Sequence, residues 1–194
     1  MRVHLEQGEL FGPGLRLPDG LEYRPAFLSA EEEAVLLAHI RALPLREALY
    51  KGYVARRRIV SFGSGYDFDS NELEPAGPMP EFLTPYRDRV ATWLEVPPAK
   101  LAQALVSEYR AGTALGWHRD VPDFELVAGI SLGAPCRMRF RPYPPEKGRR
   151  NEQFVLDLEP RSAYILRGEV RWRWQHHIPP TQGLRYSITF RTLR

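Results

Sequence analysis

Residues 161–192 have the sequence RSAYILRGEVRWRWQHHIPPTQGLRYSITFRT. Two parts of this stretch, 170–177 and 185–192, alternate side chains with a period of two. Such alternation is typical of strands that bury one face. Similar short runs occur earlier, divided by Pro, Gly or charged residues, at 103–110, 125–132, 136–141, 153–158 and 162–167. Strands at this spacing predict a β-sandwich or jelly roll rather than alternating βαβ units.

The N-terminal half begins with turn-forming sequence and then predicts two helices. Ser29 lies three residues before Glu32, which is a capping-box pattern, and apolar residues follow at helical spacing until Pro44. An apolar stripe over 80–94 predicts the second helix. Residues 50–68 between them are expected to be extended, with a turn at GSG (63–65).

Together these elements predict a mainly β protein with flanking helices (α+β). The expected architecture is a double-stranded β-helix, or jelly roll, with the N-terminal helices packed on one sheet. No repeat or long linker divides the 194 residues, so we expect one domain over 1–194. Residues 1–100 would form an N-terminal extension and residues 101–194 the jelly-roll core.

Cysteine usage and hydropathy indicate the compartment. Cys136 is the single cysteine, so an internal disulfide is impossible. No apolar run approaches the roughly 20 residues that span a bilayer, and the N-terminus lacks the layout of a secretory signal. We therefore expect a cytoplasmic monomer with no membrane partner.

Charge is distributed unevenly along the chain. Residues 137–194 carry 13 basic and 5 acidic side chains, whereas residues 1–136 carry 14 and 19. Within CRMRFR, alternation would place Arg137, Arg139 and Arg141 on one face of a strand. Such a face could bind the phosphates of a polyanion, or it could be the solvated surface of an arginine-rich protein. Composition leaves both open.

His118 and Asp120 are separated by one residue in GWHRDVPDF. On a strand, residues i and i+2 share a face, so an imidazole and a carboxylate could bind one ion. Such a pair with a distant histidine is the facial triad of non-haem iron(II) oxygenases, which leaves positions open for co-substrate and dioxygen. A lone His-x-Asp is a weak signal and needs a third ligand.

The third ligand is expected in VRWRWQHHIPP (170–180). If this segment is a strand, Val170, Trp172, Trp174 and His176 lie on its apolar face, which must point into the core. His176 is then the inward ligand and His177 faces outward. A buried histidine that packs beside two tryptophans is the alternative. The role of Trp172 and Trp174 stays open between packing and substrate contact.

The last strand, RYSITFR (185–191), places Arg185, Ser187, Thr189 and Arg191 on one face. Two inward guanidinium groups would be costly without an anion to pair with. They could bind a short dicarboxylate, one guanidinium at each end. An exposed strand face is the alternative interpretation.

The chain resembles the AlkB family of 2-oxoglutarate-dependent dioxygenases. EYRAGTALGWHRD (108–120), RSAYILRGEVRWRWQHHIPP (161–180) and RYSITFR (185–191) carry the resemblance and occur in family order. FLSAEEEAVLLAHI and RRRIVSFGSGYDF extend it over most of the chain. The resemblance implies Fe(II), 2-oxoglutarate as co-substrate, and dioxygen.

The resemblance also implies the role of individual residues. The iron ligands would be His118, Asp120 and His176, which are also the predicted catalytic residues. The 2-oxoglutarate contacts would be Arg185, Ser187, Arg191, Tyr109 and Ser107, the last where family members usually have Asn. The predicted substrate contacts, several in a recognition lid within 1–100, are Tyr66, Phe62, Arg58 and Arg119.

The activity that the resemblance implies is oxidative demethylation of alkylated bases in DNA or RNA, as in DNA repair. The partner would then be single- or double-stranded nucleic acid, with Arg56, Arg57 and Arg58 near its phosphates. Several repair members have an acidic residue two positions after the metal-binding Asp, where this chain has Pro122. The alternatives are the same chemistry on a protein, a tRNA or a small molecule, and a binding module without catalysis.

Overall fold

The computed structural model describes residues 18–50, 53–67, 70–145 and 153–194. The turns predicted in the first 17 residues lie outside this part of the chain. Within it, two antiparallel sheets and three α-helices form the protein. None of the helices in the described ranges is both long enough and apolar enough to cross a bilayer.

The larger sheet has eight strands in the described part of the chain. Seven follow one another across the sheet, and the eighth, β4 (Glu72–Pro75), pairs with β3 (Tyr53–Asp67). The order is β1 (Leu21–Arg24), β10 (Ala163–Leu166), β7 (Phe124–Gly133), β12 (Arg185–Leu193), β5 (Leu101–Tyr109), β3 (Tyr53–Asp67) and β2 (Arg46–Tyr50).

The smaller sheet faces the larger one. Its described strands follow the order β6 (Leu115–His118), β11 (Trp174–Ile178), β8 (Cys136–Pro142) and β9 (Phe154–Leu158). A core between the sheets joins Val127 and Leu166 of the larger sheet to Met138, Phe140 and Leu156 of the smaller one. This two-layer arrangement confirms the predicted jelly roll.

Two helices cover the outer face of the larger sheet, as predicted. Helix α1 (Ala30–Arg41) begins with the expected capping box, because Ser29 and Glu32 exchange side chain–backbone hydrogen bonds. Helix α2 (Thr84–Leu94) follows a short 3-10 turn at Glu81–Leu83. A second core packs buried helix residues such as Leu36, Ile40 and Val90 against the sheet.

The predicted strand at 170–177 is wrong in its first half. Residues Gly168–Arg173 form a short helix, α3, and the strand starts at Trp174. The order of Arg and Trp in this segment imitates a period of two, but Val170 and Arg171 are both buried. Trp174 packs in the core between the sheets, whereas Trp172 donates to Glu125. Neither tryptophan lines the cavity described below.

The predicted turn at 63–65 is also wrong, because β3 continues through it. Gly63 has φ +79°, and a Cβ there would lie 2.1 Å from the carbonyl oxygen of Ala102. Glycine is therefore required for the close approach of β3 to the neighbouring strand, rather than for a chain reversal.

Candidate metal centre

A cleft of about 420 Å³, including its part open to solvent, lies between the two sheets. Its walls combine the inward faces of β5 and β12 with the facing residues of the smaller sheet. The lining residues are Arg57, Leu105, Ser107, Tyr109, Leu115, His118, Asp120, Val127, Met138, Tyr164, His176, Ile178, Arg185, Ser187, Thr189 and Arg191.

The two imidazoles come from neighbouring strands of the smaller sheet. His118 of β6 pairs directly with His176 of β11, and the ring centroids are 4.2 Å apart. His118 Nδ1 lies 2.8 Å from the Gly116 carbonyl oxygen, which favours a proton on Nδ1 and leaves Nε2 as the ligand atom. His176 is buried, and His177 lies outside, stacked on Trp117. Strand alternation therefore separates the two histidines as predicted.

Asp120 lies beside the two imidazoles, but not because it shares a strand face with His118, as was expected. Strand β6 ends at His118, so Asp120 lies beyond the strand and not two positions along it. Its Oδ2 is 3.7 Å from His176 Nε2. Arg191 of β12 holds the other oxygen, donating from Nε and Nη2 to Oδ1 at 2.9 and 2.6 Å. The larger sheet thus fixes the carboxylate against two imidazoles of the smaller sheet.

The protonation states suit a divalent metal. Burial would raise the pKa of the Asp120 carboxyl, but Arg191 and the other surrounding cationic groups hold it well below its usual range. Burial, reinforced by the neighbouring His118, lowers the pKa of His176 to about 3. At neutral pH the carboxylate is ionised and His176 is neutral, which are the forms that bind metal ions.

The donor set fits iron(II), with two imidazole nitrogens and one carboxylate oxygen. Within the described residues, no three His, Cys, Asp or Glu side chains lie close enough together to bind one ion as they stand. This includes His118, Asp120 and His176. Their side chains would therefore have to draw together around an ion.

Arg185 provides a second test of fit, for the dicarboxylate. Its side chain is only 1% exposed, its guanidinium lies 5.0 Å from the centre of the Tyr109 ring, and its Nε donates to Ser131 Oγ at 3.1 Å. Nη1 is buried without a hydrogen-bond partner. A buried cation with a free donor is suited to an anion, and a carboxylate of 2-oxoglutarate fits it.

The other predicted co-substrate residues lie on the same wall. Ser107 pairs with Ser187 across β5 and β12, and both line the cleft together with Tyr109. Arg191 differs from the expected second half of a clamp. Its Nη1 donates to Gln103, and its Nε and Nη2 donate to Asp120. Arg191 therefore orients a ligand carboxylate in this structure, and of the two arginines predicted to form the clamp, Arg185 is the one with a buried nitrogen that has no hydrogen-bond partner.

Arg171 is a site residue that the sequence pattern concealed. It is 2% exposed, and its Nη2 donates to the carbonyl oxygens of Val121 and Phe124 at 2.7 and 2.6 Å. These bonds fix the loop that follows Asp120. Alternation along a strand predicts an outward position for Arg171, next to the inward Val170 and Trp172, whereas the segment is helical and buries Arg171. Tyr164 and Met138 also line the cleft, and no sequence motif identified them.

None of the four predicted substrate contacts lines the cleft. Phe62 packs against the core beneath the helices, and Arg58 pairs with Glu108 on that same face of the sheet. Arg119 donates to the Trp172 carbonyl oxygen and lies over the ring of Tyr143. Tyr66 is in the β3–β4 hairpin, outside the cleft lining. The residue of β3 that does line the cleft is Arg57.

Comparison with known families decides the assignment. The model of the 2OG-Fe(II) oxygenase superfamily matches residues 20–191. The chain belongs to this superfamily. Its members use Fe(II), 2-oxoglutarate and dioxygen, which confirms the predicted cofactors.

Relatives of this oxygenase confirm the resemblance to the AlkB family. It is 29% identical to the alkylated DNA repair protein ALKBH8 homolog of Arabidopsis thaliana, covering 91% of the chain and 54% of the relative. It is 26% identical to mouse tRNA (carboxymethyluridine(34)-5-O)-methyltransferase ALKBH8, covering 84% of the chain and 25% of the relative. The oxygenase thus spans about half of the first relative and a quarter of the second.

Solved structures confirm the fold of the oxygenase. OsALKBH1 superposes with a TM-score of 0.68 at 16% identity, covering 91% of the chain and 98% of that structure. A Pseudomonas putida prolyl-4-hydroxylase superposes with a TM-score of 0.62 at 15% identity, covering 90% and 93%. These two differently named proteins share one fold, so the fold alone does not identify the substrate.

Proposed function

We propose that this oxygenase removes or oxidises small alkyl groups on nucleobases in DNA or RNA. The observation that carries the chemistry is the meeting of His118, His176 and Asp120 beside the buried, partly unpaired guanidinium of Arg185. The names of its relatives, a DNA repair homolog and a tRNA-modifying enzyme, favour nucleic acid over protein.

Each residue has a separate task in this proposal. His118, His176 and Asp120 would hold iron(II), which with 2-oxoglutarate and dioxygen supplies the oxidant for a C–H bond. Arg185 binds a carboxylate of the co-substrate, and Ser107, Ser187 and Tyr109 line its position. Arg191 holds Asp120 ionised and oriented. When the oxidised carbon is an N-methyl group, the hydroxymethyl product releases formaldehyde and leaves the base unmodified.

The outer face of the smaller sheet supports a nucleic-acid partner. Arg137 and Arg139 point to solvent along β8, opposite the buried Cys136 and Met138. Arg141 lies 4.3 Å from the centre of the Trp117 ring on this face. The partly buried ring of Trp117 is already stacked on His177, so the exposed guanidinium groups of this face are suited to phosphates more than to stacked bases. The target base must leave its stack to reach the cleft.

The decisive experiment is aerobic incubation with iron(II), labelled 2-oxoglutarate and methylated oligonucleotides, with succinate and formaldehyde measured together. After subtraction of the succinate formed without substrate, we expect both products in equal amounts and at least a roughly 100-fold loss in His118→Ala. A methylated peptide serves as the parallel substrate, and a tRNA bearing a modified uridine tests the second relative's substrate class. Stimulation of succinate formation by the peptide alone would reject nucleic acid as the substrate.

A further inference from the structure

Arg57 lies at an irregularity in the wall of the cleft. Glu47 pairs with Arg58 and the next residue of β2, Ala48, pairs with Ala55, so Arg56 and Arg57 have no partner residue in β2. This is a β-bulge, a device that redirects side chains and is common beside active sites. Arg56 is exposed, whereas Arg57 is partly buried and lines the cleft.

The donors of Arg57 are not all used by the protein. Its Nε is buried without a hydrogen-bond partner. The adjacent Arg58 differs, because it faces the other side of the sheet and pairs with Glu108 at 3.4 Å. A buried unpaired N–H is costly, and a guanidinium can donate but never accept. Arg57 is therefore suited to a bound group that carries an acceptor atom.

The charge of the cleft also favours a bound group that carries an acceptor atom and no positive charge. Asp120 is the only acidic residue among those that line it, and Arg191 donates to that carboxylate. Arg57 and Arg185 remain as cationic groups, while Fe(II) and 2-oxoglutarate would together add no net charge. Arg57 lines the same cleft as the predicted iron ligands His118 and His176.

We propose that Arg57 selects the substrate class of the oxygenase: an uncharged or anionic base with an acceptor beside the oxidised carbon. Bases that are cationic at neutral pH, such as 1-methyladenine, are then poor substrates, because like charges repel in a cleft with low solvent access. An example of the favoured class is 3-methyluracil, which is neutral and has a carbonyl oxygen on each side of its N-methyl group. This inference rests on the proposed nucleobase activity.

The test compares trinucleotides that contain 3-methyluracil or 1-methyladenine, using wild type, Arg57→Gln, Arg57→Glu and the matched bulge variant Arg56→Gln. In wild type, kcat/KM should favour 3-methyluracil by about 10-fold or more. Arg57→Gln should lower kcat/KM for 3-methyluracil by about 10- to 100-fold, mainly through KM, as expected for loss of a charged donor. Arg57→Glu should reverse the preference, and Arg56→Gln should keep it.

Two further readouts separate substrate selection from folding and from chemistry. Anaerobic binding of fluorescent trinucleotides should show the same preference without turnover. Succinate formation in the absence of substrate should stay within about twofold of wild type in the exposed control Arg56→Gln. If Arg57→Gln lowers this substrate-free reaction as strongly as it lowers kcat/KM for 3-methyluracil, Arg57 supports the metal centre instead, and the proposal is overturned.

The outcomes also separate this inference from the proposed function. A wild type that prefers 1-methyladenine, or an Arg57→Gln variant with unchanged preference, overturns the role of Arg57 and leaves the nucleobase activity standing. Basal succinate formation with no oxidation of any base rejects the nucleobase activity, and the inference falls with it. Oxidation of 3-methyluracil that depends on Arg57 supports both.

Discussion

Single residues decide which atoms face the cleft, and alternation along a strand predicted several of them. In β12 the period of two correctly separated Arg185, Ser187 and Arg191 from the core residues between them. The same rule separated His176 from His177. It could not predict that Arg191 would bind Asp120, because that contact joins residues distant in the chain.

His176 and His177 form a matched pair for testing the metal ligands. His176→Ala should abolish stoichiometric binding of Fe(II) or Mn(II), since it removes one of three ligands. His177→Ala removes only a side chain stacked on Trp117 and should retain binding. Calorimetric titration of each variant measures the stoichiometry. Equal binding by both variants would disprove the assignment of His176.

Arg171 should position the loop after Asp120. Arg171→Met leaves the buried carbonyl groups of Val121 and Phe124 without donors, so we expect unfolding to become easier by about 2–4 kcal/mol. Metal affinity should fall about 10- to 100-fold, as for other residues that orient metal ligands. Urea unfolding and metal titration test these effects. Arg173→Gln, on the same helix, leaves both of these hydrogen bonds in place and should keep the metal affinity.

The buried His176 also predicts a pH dependence of stability. Its pKa is about 3 in the folded protein, below the ordinary value of 6.5, so the unfolded chain binds more protons between these values. The metal-free protein should therefore be fully stable above pH 6.5 and lose stability as the pH falls towards 3. Urea unfolding of wild type and His176→Gln from pH 7.5 to 5 should show a shallower decline in the variant. Parallel declines would refute this origin.

At the scale of elements, short runs with period two predicted most strands but not every boundary. The prediction of a strand before Trp174 was wrong because a six-residue helix can carry the same apolar pattern as a strand. The prediction of a turn at 63–65 was wrong because glycine is used both in turns and where two strands approach closely. In both segments the deciding interaction is tertiary, and sequence periodicity does not report it.

The pairing of β7 with β10 depends on a glycine. Gly129 lies opposite Tyr164, and a Cβ at Gly129 would lie 2.3 Å from the tyrosine Cζ. Gly129→Val should displace the Tyr164 ring, which lines the cleft, and cost about 1–3 kcal/mol of stability. Thermal unfolding and 2-oxoglutarate affinity should both decline. Gly77→Ala, which meets no atom within 4 Å, provides the control.

At the scale of the whole molecule, the order of strands assembles the centre. The two imidazoles meet only because β6 and β11 are neighbours, although most of the catalytic core separates them in sequence. Family motifs predicted this meeting, whereas residue spacing alone could not. The excess of basic residues after position 136 has a structural counterpart in the outward arginines of β8.

Charge on that outer face should control nucleic-acid affinity. Arg139→Glu should weaken single-stranded DNA or RNA binding about 10-fold at low salt and reduce the dependence of affinity on salt. Arg87→Glu, on α2 beneath the other sheet, should have little effect. Fluorescence anisotropy between 50 and 200 mM salt measures both slopes. Equal losses in the two variants would indicate a general charge effect and not a defined surface.

The origin of the three ligands has a mechanical consequence. Both imidazoles belong to the smaller sheet, while the Asp120 carboxylate is held by Arg191 of the larger sheet. An ion bound by all three would act as a clasp between the layers and restrain their separation. Deuterium uptake by the backbone amides of β6 should therefore slow when the protein is loaded with Mn(II). Uptake by α1, on the outer face of the larger sheet, should be unchanged.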